Sequence, residues 1–228
     1  MLKRAAALLL ICAGVVGGVA CSNSSSSHYL YGALPGSGAG EIIEFREDPD
    51  SGALTQLANS PITAGSAVQS LALHPSGKFL YAANSGSGNV SLFTISSTTG
   101  SLDEVTPRTD AGTAPTLLAM DPAGAFLYVA NSGSFNITIF SIDSSTGALT
   151  QVGTAFQIGV SALNMQLSPS GNVLYVTAAG NPGTIQAFAL TQGVPTNAIA
   201  GSPFTTGSNP FGLAIDPAGK FLYTANRL

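Results

Sequence analysis

The chain has 228 residues, and only 8% of them are charged, against about 25% in typical soluble domains. Its 45% share of hydrophobic residues excludes an intrinsically disordered chain, which would be poor in such residues. The formal net charge of -4, with the few cations scattered along the sequence, disfavours nucleic-acid binding.

Residues 1–20 have the pattern of a secretion signal. Lys3 and Arg4 precede an uncharged run from Ala5 to Ala20, which ends in small residues just before Cys21. The run is shorter than the roughly 18 to 20 apolar residues that a membrane-spanning helix needs. We therefore predict a signal peptide over residues 1–20.

The segment Val19-Ala20-Cys21 resembles the end of a bacterial lipoprotein signal. Three residues before the Cys such signals usually have a Leu-like residue, and this chain has Gly18. This resemblance implies that Cys21 is lipidated and anchors the protein to the membrane, and Ser22 beside it implies the outer membrane. A secreted or periplasmic protein is the alternative. The serine-rich segment 21–27 is predicted to be a flexible tether because its side chains have little surface to bury.

A repeat dominates the sequence after the tether. Tyr recurs at intervals of 47 to 50 residues, and a Pro-x-Gly turn precedes each of the last four occurrences; the tyrosines are Tyr31, Tyr81, Tyr128, Tyr175 and Tyr223. Such a period indicates a repeat architecture, because each unit buries its apolar face against a neighbour. The predicted units are 28–67, 68–114, 115–161, 162–210 and a partial unit over 211–228.

Each unit contains four short apolar segments typical of strands. The two inner segments, such as Phe126 to Asn131, are apolar almost without alternation, which indicates burial on both faces. Four-stranded antiparallel units of this length predict an all-β fold, a β-propeller. We count three strands in the first unit, twelve in the next three and two in the last. The chain is therefore predicted to form an arc that stops inside its fifth blade.

The Leu-Tyr-Val-Ala-Asn and Leu-Tyr-Val-Thr-Ala runs, the Asp-Pro-Ala-Gly turns and the Thr-Gly-Ala-Leu-Thr segment resemble the YVTN repeat of the lactonase-like propeller family, from Tyr29 to Leu228. The resemblance implies a seven-bladed propeller and hydrolysis of a sugar lactone such as 6-phosphogluconolactone. Because this chain has too few strands for seven blades, we expect an incomplete arc from a truncated gene product. Its open blade edges predict self-association or a missing remainder.

Few residues are candidates for the chemistry that a lactonase needs, which is an activated water and donors for the developing oxyanion. His28 lies at the end of the predicted tether. His74 begins a Pro-Ser-Gly turn where other repeats have Asp121 and Asp216, so we interpret all three as turn residues. No catalytic residue is assigned.

Arg227 breaks the repeat, because it follows the Tyr run where other units carry Ser85, Ser132 and Gly180. The family resemblance implies that an arginine there can face the central channel and bind an anionic substrate. A solvated Arg near the end of the sequence is the alternative.

The charged residues between Glu41 and Asp50 form one cluster, which also includes Glu44, Arg46, Glu47 and Asp48. We predict that the cluster lies on an exposed edge or loop. No phosphate-binding loop, zinc helix or nucleophile elbow occurs, so we expect no cofactor and no metal. The sequence therefore predicts an exported, lipid-anchored lactonase-like propeller and leaves catalysis open. A non-enzymatic surface module for a protein or glycan partner is the alternative.

Overall fold

The structure is a computed structural model that describes residues 19–24, 27–34 and 38–227. Over these ranges the backbone forms 21 strands and no helix. The strands make five antiparallel sheets that follow one another along the chain. The all-β prediction is confirmed, and four of the five sheets are the predicted blades.

Each sheet contains strands that are consecutive in the sequence. The first consists of β1 (Val19–Ser24), β2 (Ser27–Leu34), β3 (Ala39–Glu47), β4 (Leu54–Gln56) and β5 (Ile62–Ser66). The second consists of β6 (Val68–Leu73), β7 (Phe79–Asn84), β8 (Asn89–Ile95) and β9 (Leu102–Asp110). The third consists of β10 (Pro115–Met120), β11 (Phe126–Asn131), β12 (Asn136–Ile142), β13 (Leu149–Gln151) and β14 (Phe156–Gln157).

The last two sheets continue the series. The fourth consists of β15 (Ala162–Leu167), β16 (Val173–Ala178), β17 (Thr184–Thr191), β18 (Val194–Ala198) and β19 (Phe204–Thr205). The fifth contains only β20 (Pro210–Ile215) and β21 (Leu222–Asn226). In the described residues no strand of the first sheet pairs with β20 or β21, so the sheets form an open arc.

The inner strand of each blade lies beside the inner strand of the next, in the order β1, β6, β10, β15 and β20. In β6, β10, β15 and β20 the pairing register shifts by one residue near the start of the strand, which is a β-bulge. Bulges of this kind increase the local twist and redirect side chains. Because the blades of a β-propeller surround a central channel, these adjacent strands line one side of it.

The hydrophobic core is divided into three layers, each between two successive blades. The layer between the first and second blades contains Tyr31 and Phe93, that between the second and third contains Tyr81 and Phe140, and that between the third and fourth contains Tyr128. All six residues of β7 are buried, because this strand has a blade on each side. This packing explains the low charge, since little sheet surface meets water.

The Pro-x-Gly segments form the predicted turns between the first two strands of a blade. In the third blade Gly124 has φ of 71°, and its N–H donates to the carbonyl oxygen of Asp121 at 2.9 Å. A side chain other than Gly is disfavoured at that φ. The recurrence of Pro and Gly therefore has the local cause expected from the sequence.

The structure differs from prediction at the N-terminal end. Val19–Ser24 form β1, antiparallel to β2, where we expected the end of a signal peptide and the flexible tether 21–27. The physical reason is that β2 has a free edge, and β1 satisfies its backbone groups. Residues 1–18 of the predicted signal lie outside the described residues.

The strand count also differs from the predicted 17, because the described residues form 21 strands. The additional strands are β1, β5, β14 and β19. The last three are short segments that follow the outer strand along the chain. Each pairs with the third strand of its blade. In the second blade the long β9 takes both roles.

Candidate functional site

A cavity of about 490 Å³ lies where β10, β15 and β20 face the channel. Its apolar lining includes Leu118, Met120, Met165, Leu213 and Ile215. Its polar lining is neutral, with Asn164, Gln166 and Ser168, and no lining residue is charged. The volume is within the range of about 300–1,000 Å³ found for small-molecule sites.

The polar side chains of this cavity differ in their hydrogen-bond partners. Asn164 Nδ2 donates to the carbonyl oxygen of Phe211 at 3.0 Å, which links the fourth blade to β20. The Ser168 hydroxyl donates to Asn172 Oδ1 at 3.1 Å within its own turn. The Gln166 amide oxygen is buried and accepts no hydrogen bond from the described residues. Gln166 Oε1 is therefore a buried acceptor beside the cavity that has no partner among the described residues.

Asp121 and Asp216 lie in the turns next to this cavity, but their carboxylates are already engaged. Asp121 accepts from the N–H groups of Phe126 at 2.6 Å and Ala123 at 3.2 Å. Asp216 makes the same two contacts with its own turn. Both residues have the turn role expected from the sequence.

His74 is also a turn residue, and it additionally joins two blades. Its side chain is buried, its Nε2 donates to the carbonyl oxygen of Gly124 at 3.0 Å, and its Nδ1 accepts from the Ser76 N–H at 3.1 Å. The ring packs edge-on against Phe79. Since both ring nitrogens have protein partners, His74 is not available as a catalytic base.

His28 lies in β2 and not in a tether. Its Nδ1 is 3.2 Å from Glu47 Oε2 on the neighbouring strand β3, and the His28 side chain is 44% exposed. This cross-strand pair is far along the chain from the residues of the cavity. A surface pair of this kind contributes little to stability.

Arg227 follows β21 and lies beside Asn209, at the end of the fifth sheet opposite Ile215 and the cavity. Its guanidinium carbon is 5.7 Å from the centroid of the Phe211 ring, a cation–π distance. It makes no ion pair among the described residues. The pairing of Pro210 with Asn226, and of Ala162 with Ala178, aligns Arg227 with Ala179. The sequence alignment with Gly180 was therefore wrong by one residue.

The charge cluster was predicted to be exposed, and for Glu44 this prediction is wrong. Its side chain is 1% exposed in the interface between the first two blades. Its Oε1 accepts from the N–H of Leu102 in β9 at 2.8 Å. Burial raises the pKa of Glu44; the Leu102 N–H opposes this shift, and the charge of Asp103 adds to it. Of the cluster, Arg46, Asp48 and Asp50 are exposed.

Sequence reasoning missed a buried asparagine at the end of the second strand of a blade. Asn131 Nδ2 donates to Asn136 Oδ1 at 2.9 Å and to Thr138 Oγ1 at 3.0 Å, while its Oδ1 accepts from the Gly112 N–H. A Cβ atom on Gly112 would lie 2.6 Å from Asn131. The regular recurrence of this Gly and Asn could have indicated the contact, which fixes the crossover between blades.

Two further properties concern what the site can hold. Among the described residues, no group of three or more His, Cys, Asp and Glu side chains could hold a metal ion. No helix long and apolar enough to span a membrane occurs in the same part of the chain. The residues that line the cavity are neutral hydrogen-bonding and apolar ones.

Comparison with solved structures identifies the same fold. The chain superimposes on the periplasmic gluconolactonase of Pseudomonas aeruginosa with a TM-score of 0.69 and 21% identity, covering 87% of this chain and 60% of that one. With a candidate 6-phosphogluconolactonase from Bacteroides uniformis the TM-score is 0.63 at 18% identity, covering 92% and 77%. A similar candidate from Bacteroides fragilis gives 0.58 at 19%, covering 93% and 77%.

Comparison at the level of sequence families is more specific. None of the curated proteins matches the chain. The profile of the family described as "Lactonase, 7-bladed beta-propeller" matches residues 29–163, more than half of the 228 residues. The chain therefore belongs to the lactonase family of seven-bladed β-propellers.

Proposed function

We propose that the protein is an exported, lipid-anchored propeller of the lactonase family that binds a sugar lactone in its channel without opening the ring efficiently. The observation that carries this proposal is the cavity between β10, β15 and β20, about 490 Å³ in volume. Membership of the lactonase family supports a sugar lactone as the class of ligand.

The lining of the cavity suits a polyhydroxylated ring. The free oxygen of Gln166 can accept a hydrogen bond from a ligand hydroxyl, and binding would satisfy a buried acceptor that otherwise has no partner. Leu118, Met120 and Leu213 provide apolar surface for the C–H faces of the ring. Arg227 packs on Phe211 at the other end of the β20–β21 hairpin from Ile215, so it is not part of this lining.

The same lining argues against efficient hydrolysis. Ring opening by water needs a general base within hydrogen-bonding reach of the attacking water. The carboxylates nearest along the chain, Asp121 and Asp216, are held by turn N–H groups, and both nitrogens of His74 have protein partners. Binding is therefore the part of the family's activity that these residues support.

A rate measurement separates binding from catalysis. The purified chain is mixed with 6-phosphogluconolactone or δ-gluconolactone, and acid release is followed by pH-stat against the spontaneous rate. We expect no excess rate, because the described residues that line the cavity include no carboxylate or imidazole. An excess rate that Arg227→Ala abolishes and Arg227→Lys retains would contradict this expectation and establish a lactonase.

Hydrolysis is the second candidate function, and one specific observation favours it. Arg227 carries the only charged side chain that follows the second strand of a blade at this position, where Ser85, Ser132 and Ala179 stand in the described blades. A guanidinium there can hold a phosphate or a developing oxyanion. The rate assay with the two Arg227 variants decides between the candidates.

The proposed export and anchoring rest on the sequence around Cys21. Cells expressing the chain are labelled with a radioactive or alkyne-tagged fatty acid. We expect labelled wild-type protein in the membrane fraction, and loss of the label in the Cys21→Ala variant, because the thiol is the acceptor. Label that persists in the variant would show that Cys21 is not the acylated residue.

A further inference from the structure

The entry into the fourth blade departs from the repeat. In the second and third blades the second strand ends in an asparagine, Asn84 or Asn131, opposite the first residue of the inner strand. Each asparagine packs on a glycine of the crossover, the segment that leads in from the preceding blade, and a Cβ atom on Gly65 or Gly112 would collide with it. In the fourth blade Ala178 has this position. The amide group that holds the other two crossovers is therefore replaced there by a methyl group.

A different side chain reaches the crossover into the fourth blade. Gln186 lies in β17 at the position that Thr138 has in β12. Its Nε2 donates to the carbonyl oxygen of Ile158, in the crossover, at 3.2 Å. Gly159, the next residue, has φ of 69°, and nothing lies within 4 Å of a Cβ atom placed on it. The exchange of side chains therefore keeps the crossover in place and leaves space beside it.

A second cavity, of about 190 Å³, lies beside this crossover. Its apolar wall includes Ile158, Phe188 and Pro203. The Phe188 ring is held edge-on to Phe156, with the ring centroids 4.9 Å apart. All the lining residues lie in the third and fourth blades or in the crossover between them. The cavity therefore depends only on two blades that pack against each other.

Two polar groups of this cavity have hydrogen-bonding capacity that the described residues do not use. Gln186 Oε1 is buried beside the cavity and accepts no hydrogen bond from them. Ser202 Oγ accepts from the Ala187 N–H at 3.0 Å, and its hydroxyl hydrogen has no acceptor among them. One acceptor and one donor together complement a hydroxyl group, which donates one hydrogen and accepts another.

We propose that this second cavity binds a small uncharged hydroxy compound with an apolar ring, of which phenol is the simplest probe. The ligand hydroxyl would donate to Gln186 Oε1 and accept from Ser202, and the ring would pack against Phe188. A neutral ligand is expected because the lining residues are uncharged, and an ion would lose its hydration there without a partner. The volume suits a single ring, since a cavity of about 150 Å³ can hold benzene. The site shares no residue with the cavity proposed for the lactone.

A titration of the ¹⁵N-labelled full chain with phenol tests this proposal. The reporters are the backbone N–H of Ala187 and the side-chain amide of Gln186, which Gln186→Met assigns, and we expect saturable shifts of both signals. Ala198→Leu enlarges an exposed residue of the lining, and we expect it to raise the dissociation constant about tenfold or more. Ala200→Leu is the matched control, because Ala200 is also exposed and is not part of the lining.

A double variant separates ligand binding from stability. Ala178→Asn combined with Gln186→Thr gives the fourth blade the side chains of the third, in which Asn131 Nδ2 donates to Thr138 Oγ1 at 3.0 Å. The new asparagine should hold the crossover, so we expect a melting temperature close to that of the wild type. Because the Gln186 acceptor is removed, phenol binding followed at the Ala187 N–H should weaken about tenfold.

Benzene has the ring of phenol without the hydroxyl group, and we expect it to bind more weakly by a similar factor. Equal binding of benzene and phenol would overturn the roles given to Gln186 and Ser202. Spectra without a saturable shift of either reporter at tens of millimolar phenol would overturn the site itself. Shifts that Ala198→Leu leaves unchanged would do the same, because phenol would then be binding elsewhere.

Discussion

Glu44 carries a carboxyl group into the interface between the first two blades. In the pairing register its position opposite Tyr31 corresponds to Leu92 opposite Tyr81 and Ile139 opposite Tyr128, so the other blades place aliphatic side chains there. Burial disfavours the charged form, and a single backbone N–H from Leu102 compensates it only in part. The raised pKa of Glu44 therefore makes the stability of the first interface depend on pH.

This dependence gives a prediction with a defined sign. Because the pKa of Glu44 is raised in the folded state above its ordinary value of 4.5, the stabilising effect of its protonation is fully present below pH 4.5 and is lost as pH rises through the folded pKa. Glu44→Gln keeps an amide oxygen for the Leu102 N–H but does not titrate. Urea unfolding from pH 4 to pH 8 should therefore show Glu44→Gln gaining stability relative to wild type as pH rises.

The control for this experiment is Glu41→Gln, on the same strand but partly exposed. For Glu41→Gln, the difference in unfolding free energy between low and high pH should stay close to that of the wild type. Curves of unfolding free energy that stay parallel for wild type and Glu44→Gln would contradict the assigned effect of burial.

At the scale of elements, what could be predicted depended on whether an element has a pattern of its own. The inner strands and their turns were predictable because apolar runs such as Phe79–Asn84 and the Pro-x-Gly segments recur in each unit. The short strands were not, since Phe156–Gln157 is too brief to show any alternation and is fixed only by its pairing with β12. β1 was missed because its residues have the composition of a signal end and a polar linker.

Register explains the other errors at this scale. The alignment of Arg227 with Gly180 counted residues in a loop, whereas hydrogen bonding places Ala178 opposite Ala162 and so aligns Ala179. The burial of Glu44 follows from the alternation along β3, in which Ile42 and Glu44 face the neighbouring blade. The charged residues between Glu41 and Asp50 conceal that alternation in the sequence.

At the scale of the whole molecule, the low charge and the open arc have a common origin in blade packing. Three core layers between four blades remove both faces of the middle strands from water, which leaves few positions for charged residues. The same packing leaves the aromatic side of β21 uncovered where no further blade follows in the described residues.

The candidate site belongs to this scale too, which is why the sequence did not predict the cavity. Asn164, Gln166 and Leu213 are unremarkable residues in their own strands, and they form a site only because β10, β15 and β20 lie side by side. Periodicity predicts the strands. The Gln166 oxygen has no partner because the neighbouring blades place no hydrogen-bond donor beside it, and the pattern within one strand does not show this.

The central claim is that this channel binds a sugar lactone, and two cavity residues can report on it directly. The chain has three methionines, and Met120 and Met165 both line the cavity. With ¹³C-methyl methionine, and resonances assigned by Met120→Leu and Met165→Leu, the chain is titrated with gluconolactam. This compound keeps the hydroxylated ring but has an amide in place of the ester, so it resists hydrolysis. The account predicts saturable shifts of both methyl signals, weakened by Gln166→Leu and unaffected by Gln151→Leu on the exposed β13. Spectra in which neither methyl signal moves at millimolar ligand would contradict it.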